Sequence, residues 1–185
     1  PEINEVILSG GDPLVLGNDY FFWLLDEIDK IKHIKRIRIH SRLIVTLPQR
    51  IDADFICQLR RISKDVVIVT HCNHANELGD DVKASITSLK SEGVTVFNQS
   101  VLLKNINDDP KVLAQLSEAL FDTGILPYYL FLLDPVSGSA HFDISKARAQ
   151  DIYRQLLSKL PGYLCPRLSV EVPGAASKIP IEPSA

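Results

Sequence analysis

Apolar, β-branched runs recur along the chain at Glu5–Ser9, Arg36–His40, Val66–Thr70, Val94–Asn98 and Tyr128–Leu133. Successive runs start about 30 residues apart, the length of one strand–helix unit. Between them, apolar residues return every third or fourth position against a polar background. Asp19–Ile31 carries Phe22, Leu25, Ile28 and Ile31, and Asp52–Ile62 carries Phe55, Ile56, Leu59 and Ile62. Asp80–Glu92 and Pro110–Thr123 read the same way, so each stretch predicts an amphipathic helix. Asp52 and Asp80 are expected N-caps, because a short side-chain oxygen can accept from the free N–H groups of a first turn. A further helix over Ser145–Leu160 leads to a last strand at Leu168–Val172, and the Pro-rich tail Ile179–Ala185 is expected to be irregular.

Near-continuous apolar strands alternating with amphipathic helices predict a parallel sheet covered by helices. Their even spacing favours an α/β, partial TIM-type (β/α)6 barrel over an open sheet. A chain of 185 residues, 45% of them apolar, can build one such core over residues 1–185, with 173–185 as a C-terminal loop and tail. A net charge of −3 argues against a general nucleic-acid binder. No apolar run approaches the roughly 20 residues that cross a bilayer, and no signal-peptide pattern is present, so no membrane association is expected. Cys57, Cys72 and Cys165 form no CxxC pair and no disulfide framework. All three read as small buried apolar residues, which suits a reducing cytoplasm.

In barrels of this kind the chemistry sits at the C-terminal ends of the strands. There the sequence places Ser9-Gly10-Gly11-Asp12, Ser41-Arg42, His71-Cys72-Asn73-His74, Gln99, Asp108 and Asp134 with the loop Ser137–Phe142; Glu171 precedes a turn ending in Lys178. Gly10-Gly11 would let a ligand approach the backbone, although a tight turn explains the pair equally well. Lys178 could form a Schiff base with an aldehyde; the plain alternative is a solvated lysine. His71 and His74 suit polar lining better than a metal site, since no acidic third ligand stands at a convincing offset. Asp108 and Glu171 could clamp a substrate ammonium, or each could be a solvated loop carboxylate.

Taken in order, Ser9–Leu14, Ile37–Arg42, Leu47–Ile51, His71–Glu77, Asn98–Leu103, Asn107-Asp108, Pro127–Tyr129, Ala140–Phe142, Gly162-Tyr163 and Pro173-Gly174 with Ser177-Lys178 form a set that resembles the lysine 2,3-aminomutase family. The likeness runs from about Glu5 to Pro180. It looks closest to the bacterial branch that supplies (R)-β-lysine for modification of elongation factor P. Three features carry that: the loop Ser137–Phe142, His40 ahead of Ser41-Arg42, and Glu171 standing 7 residues before Lys178.

The resemblance implies a radical S-adenosylmethionine (SAM) enzyme that also uses pyridoxal 5′-phosphate (PLP) and a 4Fe–4S cluster. Its chemistry moves the amino group of L-lysine from C2 to C3 by a radical route. Lys178 matches the family's PLP lysine and would be the catalytic residue. Ser9, Gly10, Gly11 and Asp12 match the motif that holds the methionyl amine of SAM. Asp108 and Glu171 match the positions that bind the substrate's ε-ammonium, while Ser41, Arg42, His71, Asn73 and Gln99 match strand-end positions lining the SAM and PLP pocket. The family's CxxxCxxC cluster motif does not occur in this sequence. No metal ligand is therefore expected within it, the cluster cysteines being expected upstream of Pro1, with the fragment alone inactive and truncated at its N-terminus. The product would pass to the elongation factor P pathway; a homo-oligomer is left open. Alternatives are a sibling mutase acting on another cationic amino acid, a catalytically silent PLP-binding relative, and a cofactor-free Schiff-base aldolase. The last gives the Ser9–Asp12 turn no task.

Overall fold

The computed structural model describes residues 2–183, so Pro1 and the end of the predicted tail, Ser184 and Ala185, lie outside the described residues. The chain forms two compact units. One comprises Pro1–His71, Leu78–Phe97 and Thr123–Ile125, the other Cys72–Glu77, Asn98–Asp122 and Leu126–Ala185.

In the first unit, strands β1 (Glu5–Leu8), β2 (Arg36–His40) and β3 (Asp65–His71) run parallel in chain order. Along β2 the two faces differ sharply. Ile37 and Ile39 are fully buried, whereas Arg36, Arg38 and His40 on the alternate face are half-buried. Glu5 bridges two of them, pairing with Arg36 Nε at 3.1 Å and Arg38 Nη2 at 2.7 Å.

Helix α1 (Asn18–Asp29) buries Phe21, Phe22, Leu25 and Ile28. Ile31, predicted to continue that stripe, lies past the C-cap Lys30 and is exposed. The four-residue helix α2 (Leu43–Thr46) is absent from the predicted pattern, since a single turn is too short to display a period. Helix α3 (Ala53–Leu59) is capped by Asp52 as expected, with Oδ1 accepting from Phe55 N at 2.7 Å. The Phe55 ring meets those of Phe21 and Phe22 at centroid distances of 5.7 and 5.0 Å. Helix α4 (Asp80–Ser91) corrects the other cap: Gly79 is the N-cap, and Asp80 is the first helical residue. Asp80 and Asp81 instead place negative charge in the first turn, where the exposed N–H groups favour it.

Strand β4 (Thr95–Val101) begins in the first unit and ends in the second. It runs past the predicted end at Asn98, so Gln99 and Ser100 are strand residues rather than loop. The second unit continues through α5 (Pro110–Thr123), β5 (Leu126–Phe131), α6 (Lys146–Leu157) and β6 (Arg167–Val170). Strand β5 starts and ends two residues earlier than predicted, and β6 pairs with it in parallel, Phe131 opposite Ser169. The tail is not wholly irregular. Ile179–Pro180 forms β7, antiparallel to β6, because the Ile181 N–H donates to Leu168 O at 3.0 Å and the Ile181 side chain is buried with Leu113, Leu130, Ile152, Leu156 and Leu168.

Candidate active site

The first unit contributes a glycine turn. After β1 the backbone passes through Gly10 at φ +91° and Gly11 at φ +69°, a region that side-chain-bearing residues rarely adopt. A Cβ built on either glycine meets nothing within 4 Å, so the turn presents open backbone. Asp12 then anchors it. Its Oδ1 accepts from Leu14 N at 3.0 Å and Ser41 Oγ at 2.7 Å, and its Oδ2 accepts from Arg42 N at 2.7 Å and Leu43 N at 3.3 Å. Ser41 is itself buried, its N–H donating to Val69 O at 3.1 Å. The Arg42 side chain is exposed and His71, the last residue of β3, is half-buried.

Arg50 secures the following stretch. Its Nε donates to Leu14 O at 2.8 Å, Nη2 to Leu16 O at 3.0 Å and Nη1 to Asn18 Oδ1 at 2.6 Å. Burial lowers the guanidinium's pKa, against the raising influence of Asp52 and Asp54. Arg50 lies in the Leu47–Ile51 motif, but nothing local in the sequence identifies it as a loop anchor.

The second unit contributes Lys178. Its Nζ is ion-paired with Glu171 and lies 4.8 Å from the centroid of Phe131 and 5.6 Å from that of Tyr129. Those rings stack at 5.1 Å on one face of β5. The Lys178 side chain is 29% exposed, so the amine is held against the sheet. Beyond β5, the residues Leu133–Ser137 and the loop that follows line an open cavity of about 380 Å³, with Asp134 and Asp143 among its lining.

Asn73 and Asp108 also belong to this unit, and both are engaged by backbone. Asn73 Oδ1 accepts from Val101 N at 2.8 Å, and Asp108 Oδ1 accepts from Asn105 N at 2.8 Å. The buried Asn107 side chain takes Leu103 N at 2.7 Å and donates to Asn73 O and Val101 O, each at 2.9 Å. Glu77 Oε1 accepts from Asn73 N at 2.7 Å and His74 N at 2.8 Å. Glu77 and Asn107 stand inside recognisable motifs, yet their work as loop anchors depends on partners that periodicity does not reveal. Gln99 is half-buried within β4.

The open glycine turn and the sheltered amine of Lys178 fit SAM and PLP respectively. A metal cluster is different: among the described residues no group of three or more His, Cys, Asp or Glu is placed to hold a metal ion. Among the described residues no cysteine is in a disulfide. Cys72 is buried, Cys165 half-buried, and Cys57, expected inside, is exposed on α3. Among the described residues no helix is long and apolar enough to cross a membrane.

No protein-family model matches the chain. Curated proteins do. It is 46% identical over 182 residues to "L-lysine 2,3-aminomutase" of Escherichia coli (strain K12), covering 98% of this chain and 53% of that protein. It is 48% identical over 177 residues to the protein of the same name from Haemophilus influenzae (strain ATCC 51907 / DSM 11121 / KW20 / Rd), covering 96% and 52%. A "Glutamate 2,3-aminomutase" of Clostridioides difficile (strain 630) is 35% identical over 98% of the chain and 43% of its own length. The chain thus spans about half the length of the curated relatives it matches.

Two solved structures share the fold at low identity. A radical SAM methyltransferase from Sphaerobacter thermophilus gives a TM-score of 0.64 at 15% identity, covering 91% of this chain and 51% of that one. A domain of pyruvate-formate lyase-activating enzyme from Bacteroides vulgatus ATCC 8482 gives 0.59 at 14%, covering 90% and 98%. The fold is accordingly the α/β partial TIM-type barrel expected from the strand spacing. Over 96–98% of its length, the chain is similar in sequence to curated proteins named L-lysine 2,3-aminomutase.

Proposed function

We propose that this chain is the barrel segment of a radical SAM, PLP-dependent lysine 2,3-aminomutase that converts L-lysine to (R)-β-lysine. The observation that carries the reading is the 46–48% identity, over nearly the whole chain, to proteins bearing that name. When bound, SAM with a reduced iron–sulfur cluster supplies a hydrogen-abstracting radical and PLP supplies the carbonyl that attaches an amino group. The described residues offer no ligand set for the cluster, so no step is assigned to them there.

The protein's own part is positioning. Lys178 offers a primary amine sheltered by Phe131 and Tyr129, with Glu171 holding its position. The cavity beyond β5 begins at Leu133, two residues past Phe131 in the chain. It has room for an aliphatic amino-acid side chain, and its lining carboxylates suit a cationic end over an anionic one. With Asp108 and Glu171, that favours lysine, or another cationic amino acid, over glutamate. The loop lining this cavity, together with His40 and Glu171, supports the elongation factor P branch. A cytoplasmic home follows from such a role.

The test is anaerobic reconstitution of the full-length enzyme with iron, sulfide, PLP and SAM, followed by analysis of products from L-lysine. β-Lysine is expected as the product. Lys178→Ala is expected to lose the visible absorbance of lysine-attached PLP; a variant that kept both that absorbance and activity would overturn the assignment of Lys178.

A further inference from the structure

Strand register sets two opposite charges beside each other at the end of the sheet. Phe131 of β5 lies opposite Ser169 of β6, and Ser169 and Val170 lie opposite Pro180 and Ile179 of β7. One step beyond that ladder stand Glu171 and Lys178, joined by the turn Val172–Ser177, in which Gly174 takes φ +81° and Ala175 N donates to Val172 O at 3.0 Å. Residues directly opposite in an antiparallel pair share a face at contact distance. The hairpin itself therefore brings the Glu171 carboxylate to the Lys178 ammonium, and the two are ion-paired. The rings of Phe131 and Tyr129 complete the surroundings. Nζ lies 4.8 and 5.6 Å from their centroids, within reach of a cation–π contact. A carboxylate and two rings make a cradle for a primary ammonium, and the group seated in it is the ε-ammonium of a lysine. Free L-lysine ends in the same group on the same flexible stem.

We propose that Lys178 fills, from within the protein, the ammonium site that Glu171 offers to the substrate, so that attachment of PLP to Lys178 opens this site and L-lysine is held there only afterwards. Lys178 cannot serve both partners. To join the PLP aldehyde, its ammonium gives up a proton to water and the nitrogen lone pair attacks the aldehyde carbon. The aldehyde oxygen then leaves as water as the C=N bond forms. The nitrogen keeps at most one hydrogen in place of three, so it no longer fills the cradle as an ammonium does. Glu171, whose side chain is 53% exposed, is then open to an incoming ammonium. Without attachment, two lysine ammonium groups compete for one carboxylate, and the tethered one has the higher effective concentration. This inference rests on the reading of Lys178 as the PLP lysine and Glu171 as an ammonium acceptor, and adds the order in which they are used: cofactor first, substrate second.

The test uses the full-length protein free of PLP. Binding of L-lysine is measured by calorimetry for wild type, Lys178→Met and the double variant Lys178→Met with Glu171→Gln. Methionine keeps an unbranched, flexible apolar body and removes the charge. Lys178→Met is expected to bind L-lysine about fivefold more tightly than wild type, the scale of a part-exposed ion pair, and the gain is expected to vanish in the double variant. An affinity equal to or below that of wild type in Lys178→Met overturns the proposal, as does a gain that survives in the double variant. The second readout is the rate at which added PLP develops the absorbance of the lysine-attached cofactor. Glu171→Gln removes the charge that holds the ammonium in the cradle, so attachment is expected to be about fivefold faster than in wild type; an unchanged or slower rate overturns the proposal. The underlying reading fails differently. Wild type that develops no such absorbance, or Lys178→Met that does, removes Lys178 as the PLP lysine, and this inference with it, whatever the affinities for L-lysine.

Discussion

Asn107→Ala isolates the brace that holds the loop carrying Asp108. The Asn107 side chain is fully buried and makes three hydrogen bonds, accepting from Leu103 N at 2.7 Å and donating to Asn73 O and Val101 O at 2.9 Å each. Truncation leaves the Leu103 N–H without that acceptor and withdraws a donor from two carbonyls. At about 1 kcal/mol net per hydrogen bond, the loss is about 3 kcal/mol, before any cavity term. That is a large fraction of the 5–15 kcal/mol typical of a folded domain. In urea unfolding, with a slope near 2 kcal/mol/M, the midpoint should fall by about 1.5 M with the slope unchanged.

Asn107→Asp sharpens the test. The variant keeps an acceptor for Leu103 N but turns a second oxygen toward the Asn73 and Val101 carbonyls. At neutral pH it should be less stable than Asn107→Ala, despite being the more conservative change. Protonation restores an O–H that can donate to one carbonyl, so its carboxyl pKa is raised in the folded state. Its deficit should therefore shrink as pH falls below that raised value and be smallest below the ordinary carboxylate range. A loss under about 1 kcal/mol for Asn107→Ala, or an Asp variant as stable as wild type, would refute the assignment of these bonds as structural.

Asp52→Ala removes the cap of α3 and should cost about 1 kcal/mol in thermal or chemical unfolding. Phe55→Ala empties the ring cluster with Phe21 and Phe22 and should cost about 3–5 kcal/mol, read by the same assay. The Glu92 carboxyl is held below its ordinary range chiefly by its hydrogen bond to Arg60, so its contribution is present above the unfolded carboxylate pKa and fades as pH falls through the lower folded value; Arg60→Ala should flatten that acid limb. Burial raises the Tyr153 phenol, so its contribution is full below the unfolded phenol pKa and is lost as pH rises through the higher folded one; Tyr153→Phe should flatten the alkaline limb of a stability–pH curve.

The strands and long helices were legible because burial imprints a period on the sequence. Ile37 and Ile39 alternate with Arg36, Arg38 and His40, and α1 repeats Leu25 and Ile28 at helical spacing. Features without a period escaped. Helix α2 has only four residues. The Gly79 cap lost to Asp80 in the sequence because an acidic side chain looks like the better cap, yet glycine also serves there and the acids work one step inside. The end of β4, past Asn98, read as loop because Gln99 and Ser100 are polar. Ser100, like Asn98 before it, finds its partner at Cys72, 28 and 26 residues earlier in the chain respectively, and this satisfies both side chains inside the sheet. The positions of Lys178 and Glu171 were marked by the motif, whereas their mutual pairing and the aromatic face beneath the lysine required the fold.

A motif tells which polar residues a site uses but not what they are used for, and hydrogen-bond capacity decides between the two. Asp12 has as many donors as a carboxylate ordinarily accepts, all from the protein. Asn73 and Asn107 are likewise engaged with backbone, and Glu77 takes two N–H groups on one oxygen. Lys178 differs: its ammonium carries three donors, and the Glu171 carboxylate on one side with aromatic rings below leaves capacity in hand. The Gly10–Gly11 turn also differs, since no side chain covers it. Within each unit, then, the strongest motif residues build the scaffold. In the first unit the glycine turn stays open, and in the second the Lys178 amine keeps donor capacity to spare. Substitutions at the anchoring residues should consequently lower stability and ligand affinity together. Substitution of Lys178 should abolish cofactor attachment while leaving the unfolding midpoint nearly unchanged, because an ion pair this exposed contributes about 1 kcal/mol or less.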